Sequence, residues 1–172
     1  GLLRTNIGKA RILGFESIVD LNLKKFFSFS NDYIFNLFFN TSIINSEYTE
    51  SKQNDVVGKR VEFVPDLNFK TGLKFGYNNF LMSAQYSYLS KQYNDASNSE
   101  ASDSSNPIRG AIPAYDIFDV SFSYKYKFVK FESGVNNLFN KSYFTRRSSG
   151  YPGPGIIPSL PRNYYLTLQL KL

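Results

Sequence analysis

Apolar and polar side chains alternate along much of the chain with a period of two residues. Between Asp66 and Tyr77, the odd-numbered positions carry Leu, Phe and Tyr, with Thr71 as the exception, whereas the even-numbered positions from 68 carry Asn, Lys and Gly. Successive side chains of a β-strand point to opposite faces, so this segment predicts a strand with one apolar and one polar face. A helix would mix the two sets around its circumference.

The same alternation predicts seven strands, and residues 1–6 fit part of an eighth. Most of the seven reach the length of about 9–11 residues that a tilted strand needs to cross a bilayer. Strands of globular proteins are shorter, at about 5–6 residues. The predicted strands are Phe15–Lys24, Tyr33–Thr41, Asp66–Tyr77, Phe80–Tyr88, Asp119–Lys127, Phe131–Val135 and Tyr164–Leu172.

Short and long connections alternate strictly between the predicted strands. This alternation places all long loops at one end of the sheet and all short turns at the other, as in outer-membrane barrels with long extracellular loops and short periplasmic turns. The sequence therefore predicts an all-β fold, an antiparallel transmembrane β-barrel. We expect the polar segment 94–106 to be a mobile, solvated loop. The short links are Phe27–Asp32, Tyr77–Asn79 and Lys127–Lys130, and the long ones are Asn45–Gly58, Asn94–Ile112 and Asn140–Arg162.

The amino-acid composition excludes several kinds of functional site. The chain holds 17 Phe and 13 Tyr, which suits the aromatic girdles of a membrane barrel. It holds no Cys and no His, which removes cysteine or histidine metal sites, disulfides and His-based catalysis. No Ser-x-x-Lys sequence occurs either. We expect no enzyme, no cofactor and no metal ion. The net charge of +6 is scattered rather than clustered, so we expect no nucleic-acid partner.

Two other interpretations stay open at this point. Any half-buried antiparallel sheet alternates in the same way, so a soluble β-sandwich that binds a carbohydrate or a protein would show the same pattern. A self-contained small barrel with a structural role in the membrane is the second alternative.

Two C-terminal motifs resemble a known family. Asn136–Tyr143 reads NNLFNKSY, and Arg162–Leu172 is a regular alternating strand. Together they resemble the penultimate-strand signature and the last strand of TonB-dependent receptors. The segments Phe144–Arg147 and Gly150–Gly155 are similar to those of iron-dicitrate and siderophore-type receptors of Bacteroidetes-like bacteria.

The resemblance implies a fold and a function. Residues 1–172 would form the C-terminal part of a receptor barrel, contributing seven to eight strands of about 22, without the N-terminal plug and the first strands. The location implied is the bacterial outer membrane, and the function is uptake of a ferric chelate or a similar small nutrient, coupled to TonB through the plug. The partners implied are membrane lipid, the plug and preceding strands, TonB and a surface lipoprotein.

Candidate ligand contacts lie on the last long loop and on the polar strand faces. A guanidinium group binds a carboxylate through two parallel hydrogen bonds, as a ferric chelate with carboxylates would require. If the loop continues as a strand, adjacent arginines point to opposite faces and only one would face the lumen. The predicted ligand-binding residues are Arg146, Arg147, Tyr151 and Arg162. The residues predicted to face the lumen and attract anions are Lys70, Lys74, Lys125 and Gln169.

Overall fold

The structure is a computed structural model that describes residues 6–101, 107–148, 150 and 154–171. The predicted contributions of residues 1–5, Tyr151 and Leu172 lie outside the described residues. Within the described part of the chain, no helix is long and apolar enough to cross a membrane.

Strands dominate the described chain, with one helical turn between the first two. In chain order the elements are β1 (Gly8–Asn22), α1 (Leu23–Phe26), β2 (Tyr33–Ser51), β3 (Leu67–Tyr77), β4 (Phe80–Leu89), β5 (Gln92–Tyr93), β6 (Ala111–Ile112), β7 (Tyr115–Tyr126), β8 (Val129–Asn136), β9 (Phe144–Ser148), β10 (Gly155–Pro158) and β11 (Asn163–Leu170).

Seven of these strands form one antiparallel sheet in the order β1-β2-β3-β4-β7-β8-β11. The connections after β1, β3 and β7 are short and lie at one end of the sheet, which we call the short-turn end. The long connections lie at the other end: loop A (52–66), loop B (90–114, with the hairpin β5–β6) and loop C (137–162, with the hairpin β9–β10). The predicted antiparallel barrel segment and its loop asymmetry are confirmed.

One face of the sheet is apolar across all seven strands. A typical row runs from Phe35 through Phe75 and Met82 to Phe122 in register. These side chains are not packed beneath a second layer of the described structure, since Leu166, for example, is 68% exposed. A sandwich would cover this face. The sheet is also open, because no ladder joins β1 to β11 among the described residues, so it is not a closed small barrel.

The opposite face is polar. It carries Lys70, Lys74, Lys125 and Gln169, each at a register position between the apolar rows, as predicted. That this face lines a lumen stays a prediction. The rings of Phe38 and Tyr165 also lie on the polar face, and each ring lies over a glycine of the neighbouring strand. A Cβ on Gly72 would come within 2.4 Å of the Phe38 ring, and a Cβ on Gly134 within 2.6 Å of the Tyr165 ring.

The buried side chains lie towards the loop end rather than in the sheet wall. Val56 of loop A is 1% exposed, and Ile112 of loop B is fully buried. Ala111, Gln92 and Asn137, also in loops B and C, are buried as well. The long loops therefore pack into a compact cap over one end of the sheet, which we call the loop cap.

The first two strands are longer than predicted. β1 begins at Gly8 rather than Phe15, and β2 continues to Ser51 rather than ending at Thr41. Their outer parts remain paired, from Gly8 opposite Ser51 inwards. Charged side chains are joined across this extension, including Lys9 with Glu50 at 2.9 Å. Polar residues occupy both faces of this extension, so apolar and polar positions do not alternate there. The two strands nevertheless remain paired.

Candidate functional site

Loop A folds back on the outer end of β2. The backbone N–H of Gly58 donates to the carbonyl oxygen of Tyr48 at 2.8 Å, and the N–H of Tyr48 donates to that of Lys59 at 2.9 Å. The Tyr48 hydroxyl donates to the Glu62 carboxylate at 2.6 Å. Gly58 has a φ of +79°, which a residue without a side chain adopts at little cost. The loop is therefore fixed to the strand that precedes it.

Loops A and B are joined by a reciprocal amide pair. The backbone N–H of Arg60 donates to Asn98 Oδ1 at 2.7 Å, and Asn98 Nδ2 donates back to the Arg60 carbonyl at 2.9 Å. Nearby, the N–H of Phe63 donates to the Tyr93 carbonyl at 2.9 Å. One asparagine side chain thus satisfies both main-chain groups of a residue on another loop, as a β-ladder would.

The Asp95 carboxylate organises the start of loop B. It accepts hydrogen bonds from the hydroxyl groups of Ser97 and Ser99 and from the backbone N–H groups of Ser99 and Gly110. Partial burial acts to raise the pKa of Asp95, but these hydrogen bonds outweigh it and hold the pKa below its usual value. This segment was predicted to be a solvated loop. That prediction is wrong for residues 94–99, which are half-buried and bonded to loop A and to the end of loop B.

An open cleft of about 420 Å³ lies between loops A and B. Two cations on its wall are paired with carboxylates. Arg60 lies 2.7 Å from Asp66, and Lys91 lies 2.7 Å from Glu100. The hydrogen bond to Glu100 raises the pKa of Lys91, and the bond from Lys91 lowers the pKa of Glu100. Lys91 Nζ is also 4.9 Å from the centre of the Tyr93 ring.

The NNLFNK motif forms a tight turn at the start of loop C. Asn137 is 3% exposed and has a φ of +53°. Its backbone N–H donates to Asp119 Oδ1 at 2.8 Å, and its side chain exchanges two 2.8 Å hydrogen bonds with the backbone of Lys141. The Leu138 N–H donates to the Phe118 carbonyl at 2.7 Å, which extends the β7–β8 ladder. The motif therefore closes the β8 strand against β7.

Side chains reinforce this turn on the β7 side. The Lys141 ammonium group forms an ion pair with Asp116. The rings of Tyr115 and Tyr143 stack with their centres 4.6 Å apart. These contacts fix the base of loop C to the start of β7, which follows loop B directly.

Arg147 joins loops B and C. Its guanidinium group donates to the carbonyl oxygens of Pro107 and Ala111, both at 3.2 Å, and lies 5.2 Å from the centre of the Phe144 ring. Adjacent residues of a strand point to opposite sides, so Arg146 points away from this contact. In the structure Arg147 holds the backbone of loop B, and its predicted role in ligand binding stays a prediction.

The remaining predicted ligand residues separate into different environments. Arg162 donates its guanidinium to the Leu138 carbonyl at 3.3 Å and its backbone N–H to Asn140 Oδ1 at 3.0 Å, so it also supports the turn of loop C. Arg146 is exposed, and no hydrogen bond or ion pair joins it to another described residue. Tyr151 lies outside the described residues.

The cleft between loops A and B was not predicted from the sequence. Its charged wall combines Arg60 with Lys91, which come from different loops. The contact that brings these loops together, Arg60 with Asn98, spans 38 residues. No spacing or periodicity in the sequence signals such a pair.

Comparison with known proteins gives a family match. The family described as "TonB dependent receptor-like, beta-barrel" matches residues 2–138. The chain belongs to this family. Like other TonB-dependent receptor barrels it is a protein of the bacterial outer membrane, and the family consists of transport receptors rather than enzymes. No curated protein sequence matches.

Several solved receptor structures share the fold of this TonB-dependent receptor segment. The unliganded ferric citrate transporter FecA superposes with a TM-score of 0.82 at 23% identity, covering 95% of this chain and 24% of FecA. The ferric yersiniabactin uptake receptor FyuA from Yersinia pestis gives 0.74 at 19% identity, with coverages of 96% and 24%. The siderophore receptor PiuA from Acinetobacter baumannii gives 0.70 at 20%, with coverages of 96% and 22%. The chain spans about a quarter of the length of these structures.

Proposed function

We propose that this chain forms part of a receptor that imports a ferric chelate or a similar small nutrient across the outer membrane with energy supplied through TonB. The observation that carries the proposal is the loop cap, in which three loops from one end of a membrane-type sheet are bonded into a single unit. Binding residues are commonly held on loops above a rigid scaffold. The names of the structural neighbours, a ferric citrate transporter and a ferric yersiniabactin uptake receptor, support the substrate class.

The two faces of the sheet support the membrane arrangement. We propose that the apolar face meets lipid and that the polar face, with Lys70, Lys74, Lys125 and Gln169, borders an aqueous lumen. Outer-membrane barrels alternate in this manner, with apolar side chains outward and polar side chains inward. The plug, the other barrel strands and TonB are the partners that this mechanism requires, and a surface lipoprotein is a further proposed partner.

The ligand contacts proposed on the described residues are Arg146 and the cleft between loops A and B. Arg147 and Arg162 are already bonded to backbone carbonyls, which leaves Arg146 as the arginine of β9 available to an anionic chelate. In the cleft, Lys91 is paired with a carboxylate, Glu100, that is itself largely exposed and can yield to a competing anion. Tyr151 stays a predicted ligand residue.

Uptake by the intact gene product tests the proposal. A deletion strain and its complemented form would be compared for accumulation of ⁵⁵Fe supplied as ferric citrate or as siderophore complexes, with and without a protonophore. We expect uptake of at least one chelate to require the gene and to stop when the proton gradient is removed. Equal uptake by both strains for every chelate and for other small nutrients would overturn the proposed function.

An Arg146 variant and a lysine control on loop A test the ligand contact. Arg146→Gln removes the exposed guanidinium, and we expect a weaker apparent affinity for the imported chelate with an unchanged maximal rate, because a charge that aids binding does not affect translocation. Lys52→Gln on loop A is the control, since it removes another exposed loop cation away from β9. An identical affinity for Arg146→Gln and the native receptor would exclude Arg146 as a contact.

A further inference from the structure

The turn between β1 and β2 folds towards the apolar face of the sheet. The backbone N–H groups of Phe27 and Phe29 donate to carbonyl oxygens of α1, both at 3.0 Å, so hydrogen bonds fix the turn. The rings of Phe27 and Phe29 lie 6.1 and 6.0 Å from the ring of Phe35, measured between centres. Phe35 belongs to the apolar row that crosses the sheet. The turn therefore continues the apolar face at the short-turn end.

The rings of this turn form an exposed apolar cluster. Phe26 is 79% exposed, and Phe27 and Phe29 are also exposed. The Phe26 ring meets the Phe27 ring edge-on at 5.1 Å, and the Phe27 ring stacks on the Phe29 ring at 5.9 Å. A contiguous exposed apolar patch marks an interaction surface. Because this patch is continuous with the face proposed to meet lipid, the surface that it fits is the membrane.

The short connections of the sheet carry unpaired positive charge. They hold the lysines Lys24, Lys25 and Lys127 and one acidic residue, Asp32. No ion pair joins any of these lysines to a carboxylate among the described residues. In the cleft between loops A and B, by contrast, the cations are paired with carboxylates. The short-turn end therefore attracts anions more strongly than a surface of paired charges would.

These lysines lie beside rings of the apolar face. Lys24 and Lys25 are part of α1, next to the phenylalanine cluster, and Lys24 Nζ donates to Asn31 Oδ1 at 3.3 Å. Lys127 Nζ lies 5.5 Å from the centre of the Tyr126 ring, at the end of the apolar row of β7. Aromatic rings with neighbouring lysines are typical of segments at a membrane interface, where the rings contact acyl chains and the ammonium groups contact headgroups.

We propose that the turn between β1 and β2 binds an anionic phospholipid of the periplasmic leaflet. The rings of Phe26, Phe27 and Phe29 contact its acyl chains, and the ammonium groups of Lys24 and Lys25 contact its phosphate. Rings alone suit any lipid, but the unpaired lysines favour a headgroup with a net negative charge. The short turns of outer-membrane barrels face the periplasm, which fixes the leaflet. The inference rests on the proposed lipid contact of the apolar face and not on the imported nutrient.

Hydrogen–deuterium exchange of the intact gene product in lipid vesicles tests this site. One preparation contains phosphatidylcholine alone, and the other contains about one quarter phosphatidylglycerol. We expect the amides of residues 23–32 to exchange about tenfold more slowly in the anionic vesicles, and those of loop A to exchange equally in both. Equal exchange of residues 23–32 in the two preparations would overturn the site alone. Failure to insert into either, seen as loss of the heat-dependent gel shift, would also contradict the lipid-facing surface.

Variants separate the charge from the rings. Lys24→Gln/Lys25→Gln should abolish the slowing in anionic vesicles and leave exchange in phosphatidylcholine unchanged. The matched control Lys52→Gln/Lys59→Gln removes two exposed lysines of loop A and should keep the slowing. Phe26→Ser should speed exchange of the turn by the same factor in both preparations, because contact with acyl chains does not depend on headgroup charge. Slowing that survives in Lys24→Gln/Lys25→Gln, or that the control also loses, would overturn the proposal.

Discussion

At the scale of single residues, Asn137 shows why the NNLFNK motif has its sequence. The residue must adopt a left-handed backbone conformation while buried, and asparagine tolerates that conformation better than most residues with a side chain. Its amide group then satisfies both the N–H and the carbonyl of Lys141. The motif was identified in the sequence by its resemblance to a known family. The hydrogen-bond partners of Asn137 depend on the fold of the turn and could not be predicted from the sequence alone.

Replacing Asn137 should destabilise the barrel. Asn137→Ala removes the two part-buried side-chain hydrogen bonds to the backbone of Lys141, so we expect a loss of about 1–3 kcal/mol. Asn136→Ala is the control, since Asn136 is exposed and its side chain has one bond, to Asn163. The unfolding midpoint in detergent, followed by the heat-dependent gel shift of the barrel, measures both. Similar midpoints for the two variants would contradict the assigned role.

Arg147 and Arg146 form a second comparison at this scale. Arg147→Met should release the carbonyls of Pro107 and Ala111 and increase hydrogen–deuterium exchange at residues 107–112. Arg146→Met should leave that exchange unchanged, because Arg146 points away from loop B. The two substitutions are chemically identical and adjacent in sequence, so a difference reports the guanidinium contact alone. Equal exchange in both variants would show that Arg147 does not hold loop B.

At the scale of elements, the strands were predictable because a period of two is a local property. The apolar rows of β3, β4 and β7 were assigned correctly to one face from the sequence. The start of β1 and the end of β2 were not predicted, because these segments lie outside the alternating region. Their pairing there involves charged residues such as Lys9 and Glu50. Inside the loops nothing is periodic, and the contacts that shape them join residues far apart in sequence.

The two ring-over-glycine contacts predict different sensitivities for β3 and β8. A Cβ on Gly72 would meet both the Phe38 ring and the backbone oxygen of Ala84, at 2.9 Å, whereas a Cβ on Gly134 would meet only the outer atoms of the Tyr165 ring among its nearest neighbours. A ring can rotate away, but a ladder carbonyl cannot. We expect Gly72→Ala to cost about 1–3 kcal/mol and Gly134→Ala less. Thermal unfolding midpoints rank the pair, and the reverse order would contradict this explanation.

Asp95 predicts acid sensitivity of loop B. Its pKa is lowered in the folded loop, so the carboxylate contributes its full stabilisation above the ordinary value of about 3.9 and loses it as the pH falls through the lower folded value. Exchange of the Ser99 and Gly110 amides, corrected for the intrinsic pH effect, should therefore rise below about pH 4. In Asp95→Asn the same amides should exchange faster at neutral pH and lose this acid transition. A persistent transition in that variant would assign it to another group.

At the scale of the whole molecule, the decisive property is the medium that each face of the sheet contacts. Leu166 and Thr167 are neighbours on β11 and occupy the apolar and polar faces. Leu166→Arg should cost about 2–4 kcal/mol in a bilayer if it lies near the midplane, whereas Thr167→Arg should cost much less. Unfolding of the intact gene product in lipid vesicles measures the difference. Equal costs would contradict a lipid-facing apolar surface.

The concentration of buried side chains in the loop cap has a consequence for how such receptors diversify. Few side chains of the sheet are fully buried, so most of its positions should tolerate substitutions that keep the alternation of apolar and polar residues. The cap behaves more like a small globular protein, in which Asn98 fits Arg60 and Arg147 fits the backbone of loop B. Under the proposed function, a new nutrient preference would be transferred between related receptors only if loops A, B and C were exchanged together. A chimaera with one exchanged loop should form the sheet but not the packed loop cap.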